Sequence, residues 1–124
     1  MTRRDATEET RAVLARRMEI VARMFAGEAT YADVLELHAD DFVWLSAAGV
    51  KIGHREAAEH NAERMSRIPP EALAGVRAIR QEVSGEYGFV MFKTDAVPFG
   101  TDTYRVVDGK VVFQSNALYL PRRE

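Results

Sequence analysis

The last quarter of the chain carries the feature that most limits how it can fold, a predicted β-hairpin with an acid inside one strand. Residues 100–107 and 111–120 are rich in β-branched and aromatic side chains, and they flank Asp108-Gly109, a dipeptide typical of tight hairpin turns. Asp102 lies inside the first strand, although aspartate is disfavoured there. Its carboxyl group therefore either faces water at a sheet edge or faces a cavity.

The register of this hairpin decides which side chains accompany Asp102. A two-residue loop at Asp108-Gly109 would pair Asp102 with Ser115, whereas a three-residue loop that starts one residue earlier would pair it with Gln114. The residues alone leave both registers open.

Apolar periodicity predicts helices in the first half of the chain and strands in the second. Asp5 with Glu8 indicates a capping box for a first helix that Gly27 ends, and Thr30 with Asp33 opens a second helix. The order is typical of an α+β domain whose helices cover one face of an antiparallel sheet. The remaining predicted bounds are the second helix through residue 38, a strand at 42–47, an extended segment at 50–52, a third helix at 54–68, and strands at 76–83, 89–95, 100–107 and 111–120.

Composition excludes several classes of function. A length of 124 residues suits one domain, 1–124, with its own core. The absence of cysteine excludes disulfides and thiolate chemistry, and 17 basic against 19 acidic residues leave no electrostatic footprint for nucleic acid or a membrane surface. No signal peptide or membrane-spanning run is visible, so we predict a cytoplasmic protein whose partner is a small apolar molecule.

Three stretches together resemble a known family. They read AGEATYADVLELHADDFVWLSAAG, KIGHREAAEHNAERM and GTDTYRVVDGKVV. The chain resembles the nuclear transport factor 2-like (NTF2-like) superfamily, in its SnoaL-like and ketosteroid-isomerase-like branch. The resemblance implies an α+β cone in which three N-terminal helices pack on a curved, mostly antiparallel β-sheet and enclose a pocket. It also favours the three-residue hairpin loop.

The match to the isomerases of this branch is partial. Asp102 falls where they carry a pocket acid that stays protonated and donates a hydrogen bond. Ser46 occupies the position of their general-base aspartate, and Ala22 occupies that of a partner tyrosine. A serine hydroxyl does not remove a proton from carbon unaided. We therefore do not predict ketosteroid isomerisation.

Side-chain periodicity indicates which further residues face the pocket. On the first strand, Trp44 and Ser46 share one face. His60 is predicted at the helix margin or in solvent, about 100° of rotation from Asn61. The predicted inward face of the third helix consists of His54, Ala58, Asn61 and Met65, with Ala57 and Ile68 beside them.

These patterns predict a site with Asp102 as the catalytic acid or base. No histidine spacing suits a metal, and no cofactor motif is visible, so neither is expected. The predicted substrate-binding residues are Trp44, Ser46, His54, Asn61, Tyr104, Gln114 and Asn116.

Four of these residues could instead have a purely structural role. Asp102 could be an edge-strand carboxylate paired with Arg105 or Lys93. Trp44 could be an ordinary core residue, His54 could pack at the entry of the third helix, and Asn61 could bind a buried backbone group.

Two classes of function remain open. The first is an enzyme of the isomerase, cyclase or lyase type, acting on an apolar carbonyl or polyketide-like molecule. The second is a noncatalytic ligand-binding or dimerisation module. Phe113, Ala117 and Tyr119 are predicted on the outer face of the last strand, where the resemblance implies a homodimer.

Overall fold

Helices precede strands along the chain, and the predicted α+β class is confirmed. The computed structural model describes residues 2–119. Within that range no helix is both long and apolar enough to cross a membrane. The elements are α1 (Arg3–Phe25), α2 (Tyr31–Leu35), β1 (His38–Ser46), β2 (Gly49–Ile52), α3 (Gly53–Arg67), a 3₁₀ turn (Pro70–Leu73), β3 (Arg77–Ser84), β4 (Tyr87–Lys93), β5 (Gly100–Val107) and β6 (Lys110–Leu118).

The six strands form one open sheet in the order β2-β1-β6-β5-β4-β3. Strands β1 and β6 pair in parallel, and every other neighbouring pair is antiparallel. The sheet is therefore mostly antiparallel, as predicted, with one parallel junction that brings the first strand beside the last. Residue 120, the predicted end of the last strand, lies outside the described residues.

The caps explain where the first two helices begin. Thr2 and Asp5 form the capping box of α1, one turn earlier than the predicted pair of Asp5 and Glu8. Threonine is itself a good N-cap, so the helix gains a turn by starting there. The predicted box of Thr30 and Asp33 at α2 is confirmed, with the Thr30 amide donating to the Asp33 carboxylate at 2.8 Å.

Strand pairing shortens the second helix. The prediction extended it through His38, but α2 ends at Leu35 and His38 begins β1. His38 pairs with Val111 of β6, and the Val111 amide donates to the Leu37 carbonyl at 2.8 Å. This long-range ladder stabilises an extended backbone that local helix signals could not indicate.

Helix α1 lies close to β4 because residue 88 is glycine. A Cβ atom at Gly88 would clash with Leu14. Two buried hydrophobic clusters pack the helices against the sheet. One cluster joins α1 to the central strands and contains Leu14, Val90, Tyr104, Val106 and Val111; the other joins α2, β1 and α3 and contains Leu35, Phe42, Trp44 and Ala57.

The β5–β6 hairpin has the shorter of the two predicted loops, so the three-residue loop is wrong, but its register beyond the turn is one that neither loop predicted. Its loop is the two-residue Asp108-Gly109 turn, and both residues have positive φ, 51° and 75°. A β-bulge then leaves Val112 as an extra residue in β6 and shifts the ladder by one position. Asp102 consequently pairs with Asn116.

The bulge also decides which side chains accompany the acid. The predicted partners, Ser115 for the shorter loop and Gln114 for the longer one, are both wrong. Because the shift moves the pairing beyond Ser115 to Asn116, Gln114 and Asn116 lie on the same sheet face as Asp102, as the longer loop had predicted.

Candidate functional site

A cavity lies between the helices and the sheet. Its volume is about 90 Å³, and residues of all three helices and of strands β1, β4, β5 and β6 line it. The polar residues of the lining include Arg17, Tyr31, Asn61, Arg64, Asp102, Gln114 and Asn116. The rest is mainly apolar and includes Met18, Met24, Phe25, Met65, Phe92 and Leu118.

Asp102 faces this cavity from the middle of the sheet. Strand β5 lies between β4 and β6, and only 7% of Asp102 is exposed. Arg105 points to the opposite face of the sheet and forms an ion pair with Glu86 at 2.9 Å. The edge-strand interpretation of Asp102 is therefore wrong, since within residues 2–119 this carboxyl group forms no ion pair.

Burial raises the pKa of the Asp102 carboxyl group above its ordinary value, because a desolvated carboxylate loses its hydration. The nearby charge of Arg17 opposes this shift, as do Tyr104, Gln114 and Arg64 to smaller degrees. The Gln114 amide donates to Asp102 Oδ1 at 3.4 Å. The geometry therefore combines an acid that holds its proton more tightly than a free aspartate does with polar neighbours that can orient it.

Arg17 is the main polar residue of the site that the sequence interpretation missed. It lies on α1 with 7% of its surface exposed. Its Nε donates to His38 Nε2 at 3.0 Å, and its terminal nitrogens donate to Tyr104 Oη at 2.8 Å and Gln114 Oε1 at 3.3 Å. The signal was its spacing, since Arg17 is three residues after Leu14 on the buried stripe.

The three acceptors of Arg17 are neutral groups. Burial, followed by the charge of Arg17, lowers the pKa of His38 to about 2, so its ring stays neutral and Nε2 can accept. Burial raises the pKa of the Tyr104 hydroxyl well above its ordinary value, which keeps it protonated. The Arg17 guanidinium is therefore held by dipoles and by the Tyr104 ring, whose centroid is 5.0 Å away.

Trp44 serves both as core and as cavity wall. It is 2% exposed, packs in the second buried cluster and also lines the cavity. Its indole N–H donates to Asn116 Oδ1 at 2.7 Å, which fixes the amide on the next strand. The guanidinium carbon of Arg64 lies 5.5 Å from the Trp44 ring centroid. Trp44 is therefore both a core residue and a wall of the cavity, so the two interpretations are compatible.

Helix α3 is rotated relative to the predicted inward face. Ala57 and His60 are its buried residues, whereas Ala58 is exposed. The His60 ring packs edge-on against Trp44, with centroids 4.8 Å apart, so its predicted position at the margin or in solvent is wrong. The aromatic contact with β1 orients the helix, and Asn61 still reaches the cavity.

Two predicted binding residues lie outside the cavity. Ser46 ends β1, accepts the Ala48 amide at 3.2 Å and lines a neighbouring shallow cleft. His54 lies in another cleft, where its Nε2 is 3.0 Å from the His38 carbonyl oxygen. That contact near the start of α3 matches a packing role at the helix entry, because it draws the His54 ring toward β1 and away from the cavity.

The structure brings most of the predicted residues together. Trp44, Asn61, Asp102 and Asn116 come from four elements and line one cavity, as predicted, with Gln114 beside them. Tyr104 lies behind this lining, where its hydroxyl group binds Arg17.

A second polar group that sequence reasoning missed is the hydroxyl of Tyr31. It is buried, lines the cavity and has no hydrogen-bond partner among residues 2–119. A buried hydroxyl group is normally paired, so its position marks a place where a ligand atom or a water molecule would be stabilised. Across the same described range, no three potential ligand side chains are placed to hold a metal ion.

Comparisons with known proteins show the fold. No family model and no curated protein sequence matches the chain. Among solved structures, an NTF2-like protein from Anabaena variabilis superposes with a TM-score of 0.73 at 13% identity, covering 98% of this chain and 96% of that one. A SnoaL-like protein of unknown function from Burkholderia thailandensis gives 0.69 at 14% identity, covering 86% and 93%.

A third structure belongs to the same fold class. It is a candidate ketosteroid isomerase from Kribbella flavida, with a TM-score of 0.63, 20% identity and coverage of 95% of this chain and 85% of that one. The chain therefore has the NTF2-like fold, and the predicted resemblance is confirmed at that level. Because one fold hosts many activities, function has to be argued from the cavity.

Proposed function

We propose that this protein binds a small amphipathic molecule in the cavity and that Asp102 acts on it as an acid. The observation that carries the proposal is the position of Asp102, a buried carboxyl group that forms no ion pair among the described residues and that lines a mainly apolar cavity. Burying a carboxyl group is costly, and such a cost is typical of functional sites.

The chemistry that fits this arrangement is proton donation to a ligand oxygen. A neutral Asp102 can donate to a carbonyl oxygen, and the positive charge of Arg17 would stabilise the negative charge that develops there. The Tyr31 hydroxyl, which has no partner within residues 2–119, supplies a second donor at the cavity wall. Reactions of the isomerase, cyclase or lyase type use such donors.

The cavity volume limits the ligand. About 90 Å³ holds several water molecules or a ligand of few heavy atoms, whereas sites for drug-sized molecules measure about 300–1,000 Å³. Met18, Met24 and Met65 line the apolar part, and methionine changes rotamer readily. A small carbonyl compound fits directly, and a polyketide-like ligand requires these side chains to move.

A noncatalytic binding module is the second candidate function. One observation favours it: among the described residues that line the cavity, Asp102 is the only carboxylate, and no histidine is present. Many proton transfers need both an acid and a base, so a single acid suits recognition as well as catalysis.

We also propose that the outer sheet face forms a homodimer. Parallel pairing places Val43 beside Phe113, and antiparallel pairing places Ile52 beside Val43, so apolar side chains run across three strands. The exposed members of this face include Leu45, Val50, Ile52, Ala117 and Tyr119. A second copy of this face would remove these side chains from water.

Trp44 offers a direct test of cavity binding, because it is the only tryptophan in the chain. Its indole N–H resonance can be followed in proton–nitrogen correlation spectra during titration with small carbonyl compounds. We expect ligands to shift this resonance and Asp102→Asn to weaken their binding. Shifts confined to the protein surface, with the indole signal unmoved, would contradict a binding cavity.

Catalysis needs a separate measurement. A ligand found by titration is incubated with the wild-type protein and with Asp102→Asn, and products are followed by mass spectrometry or chiral analysis. Conversion by the wild type alone supports Asp102 as the catalytic acid. Tight binding without conversion supports the noncatalytic module.

A further inference from the structure

The positively charged side chains that line the cavity outnumber the negatively charged ones. Three charged side chains of the described residues line it, Arg17, Arg64 and Asp102. The local charge is about +1 if Asp102 is ionised and about +2 if it carries its proton, counting one charge for each side chain. An excess of positive charge in a mainly apolar cavity favours an anionic ligand in either state.

Arg17 supplies a buried positive charge with no carboxylate bound to it. Within residues 2–119 it forms no ion pair, and its hydrogen bonds go to His38, Tyr104 and Gln114. A guanidinium group has five N–H donors, so one hydrogen on each terminal nitrogen is left over. The charge of Arg17, whose side chain lines the cavity, is therefore not neutralised by a bound carboxylate.

Arg64 supplies a second cation at the edge of the cavity. Its guanidinium group lies over Trp44, and burial lowers the pKa of this side chain. In the described part of the chain, none of its N–H groups has a hydrogen-bond acceptor, and it forms no ion pair. Arg67, the next arginine on the same helix, is exposed and pairs with Glu63 instead. Because Arg64 also lines the cavity, its N–H groups can donate to an anion there.

We propose that the ligand of this cavity is a small monocarboxylate, with its carboxylate between Arg64 and Asp102 and its apolar part among the methionines. The inference rests on the proposed ligand-binding function. The planar guanidinium fork suits a carboxylate, and a protonated Asp102 can donate a hydrogen bond to the same group. A volume of about 90 Å³ and the mainly apolar lining suit a short acid better than a phosphate ester.

Matched ligand pairs test the charge directly. Straight-chain carboxylates from acetate to octanoate are titrated into the full chain beside their primary amides, which have nearly the same shape and no charge. The Trp44 indole resonance reports binding in both series. We expect carboxylates to bind at least about tenfold more tightly than the amides, since hydrogen bonds to charged groups contribute about 1.5–3 kcal/mol.

Variants of α3 assign the preference to Arg64. Arg64→Gln should remove most of the preference for carboxylates while amides still bind, and Arg64→Lys should restore part of it. Arg67→Gln is the matched control, because Arg67 is exposed on the same helix and should leave the preference unchanged. Circular dichroism confirms that each variant is folded.

The outcomes separate this inference from the proposed function. If amides bind as tightly as carboxylates, or if Arg64→Gln keeps the full preference, the monocarboxylate proposal is overturned and the binding cavity stands. If neither series moves the Trp44 indole resonance, both proposals are overturned.

Discussion

The two faces of strand β5 place charged side chains in opposite environments. Asp102 points into the cavity, 7% exposed and without an ion pair among the described residues. Arg105, on the outer face, reaches Glu86 at 2.9 Å in solvent. The outer pair is screened by water, whereas each inner charge changes the protonation of its neighbours. We therefore expect charge on this strand to affect stability strongly on one face and weakly on the other.

The largest expected effect on the inner face comes from Arg17→Ala. The variant leaves His38 Nε2, Tyr104 Oη and Gln114 Oε1 without their buried donor. We expect the free energy of unfolding to fall by at least about 3 kcal/mol, because three buried groups lose their donor and each unsatisfied group costs about 1–3 kcal/mol. Urea unfolding measures the change. Arg16→Ala, on an exposed neighbour, is the control, and equal losses in both variants would contradict the buried network.

Disruption of the outer face should change the assembly of the protein. Phe113→Glu places a charge in the proposed dimer interface, where burying it without a partner is costly. We expect the mass in light scattering to fall to that of a monomer, while Ala12→Glu on the exposed side of α1 leaves it unchanged. A wild-type protein that is already monomeric at high concentration would refute the dimer.

Asp102→Asn tests the sign of the effect of pH on the inner face. Because burial raises the pKa of Asp102, the folded state binds its proton more tightly than the unfolded chain. The contribution of the Asp102 carboxyl group to the free energy of unfolding is therefore fully present below its pKa in the unfolded chain, about 3.9. It is lost as the pH rises through its pKa in the folded state.

Asp102→Asn has no carboxyl group to ionise, so it does not lose this stability as the pH rises. We expect Asp102→Asn to melt at the same temperature as the wild type, or higher, at neutral pH, and to lose that advantage in acid. Asp108→Asn, at the exposed hairpin turn, provides the control for a lost carboxyl group. A clear loss of neutral-pH stability in Asp102→Asn would show that the carboxyl group is an ionised structural partner.

The smallest expected effect is on the outer face. Glu86→Gln removes the charge that Arg105 contacts, and both side chains are substantially exposed. Exposed pairs contribute little and are screened by salt. We expect thermal melts of the variant and the wild type to coincide at physiological salt. A large change would show that the two faces differ less than their burial indicates.

Local signals in the sequence predicted much of this fold. The Asp108-Gly109 turn, the capping box of Thr30 and Asp33, and the end of α1 before Gly27 follow from nearby residues. Strand bounds beyond the third helix agree with the prediction within about two residues, within the described range. Turn and cap chemistry acts over a few residues, which is why one sequence suffices to find it.

The candidate site was predictable only where strand alternation decides it. Alternation grouped side chains within each strand, such as Trp44 with Ser46, because side chains alternate along any strand. The expectation that Asn116 lies beside Asp102 depended on the longer hairpin loop, which only the family resemblance favoured. Asn61 reached the cavity although its helix is rotated from the predicted inward face. Arg17 escaped notice, because a charged residue on an apolar stripe is ordinarily assigned to solvent.

The sequence by itself therefore determined most of the elements, the hairpin turn and the position of Asp102 inside a strand, whereas the burial of Asp102 in the cavity came from the structure. Only the tertiary structure decided the bulge at Val112, the strand that begins at His38, the rotation of α3 and the burial of Arg17. Each of these depends on contacts between residues far apart in the chain. Such contacts stabilise a register, a helix orientation or a buried charge that local propensities do not encode.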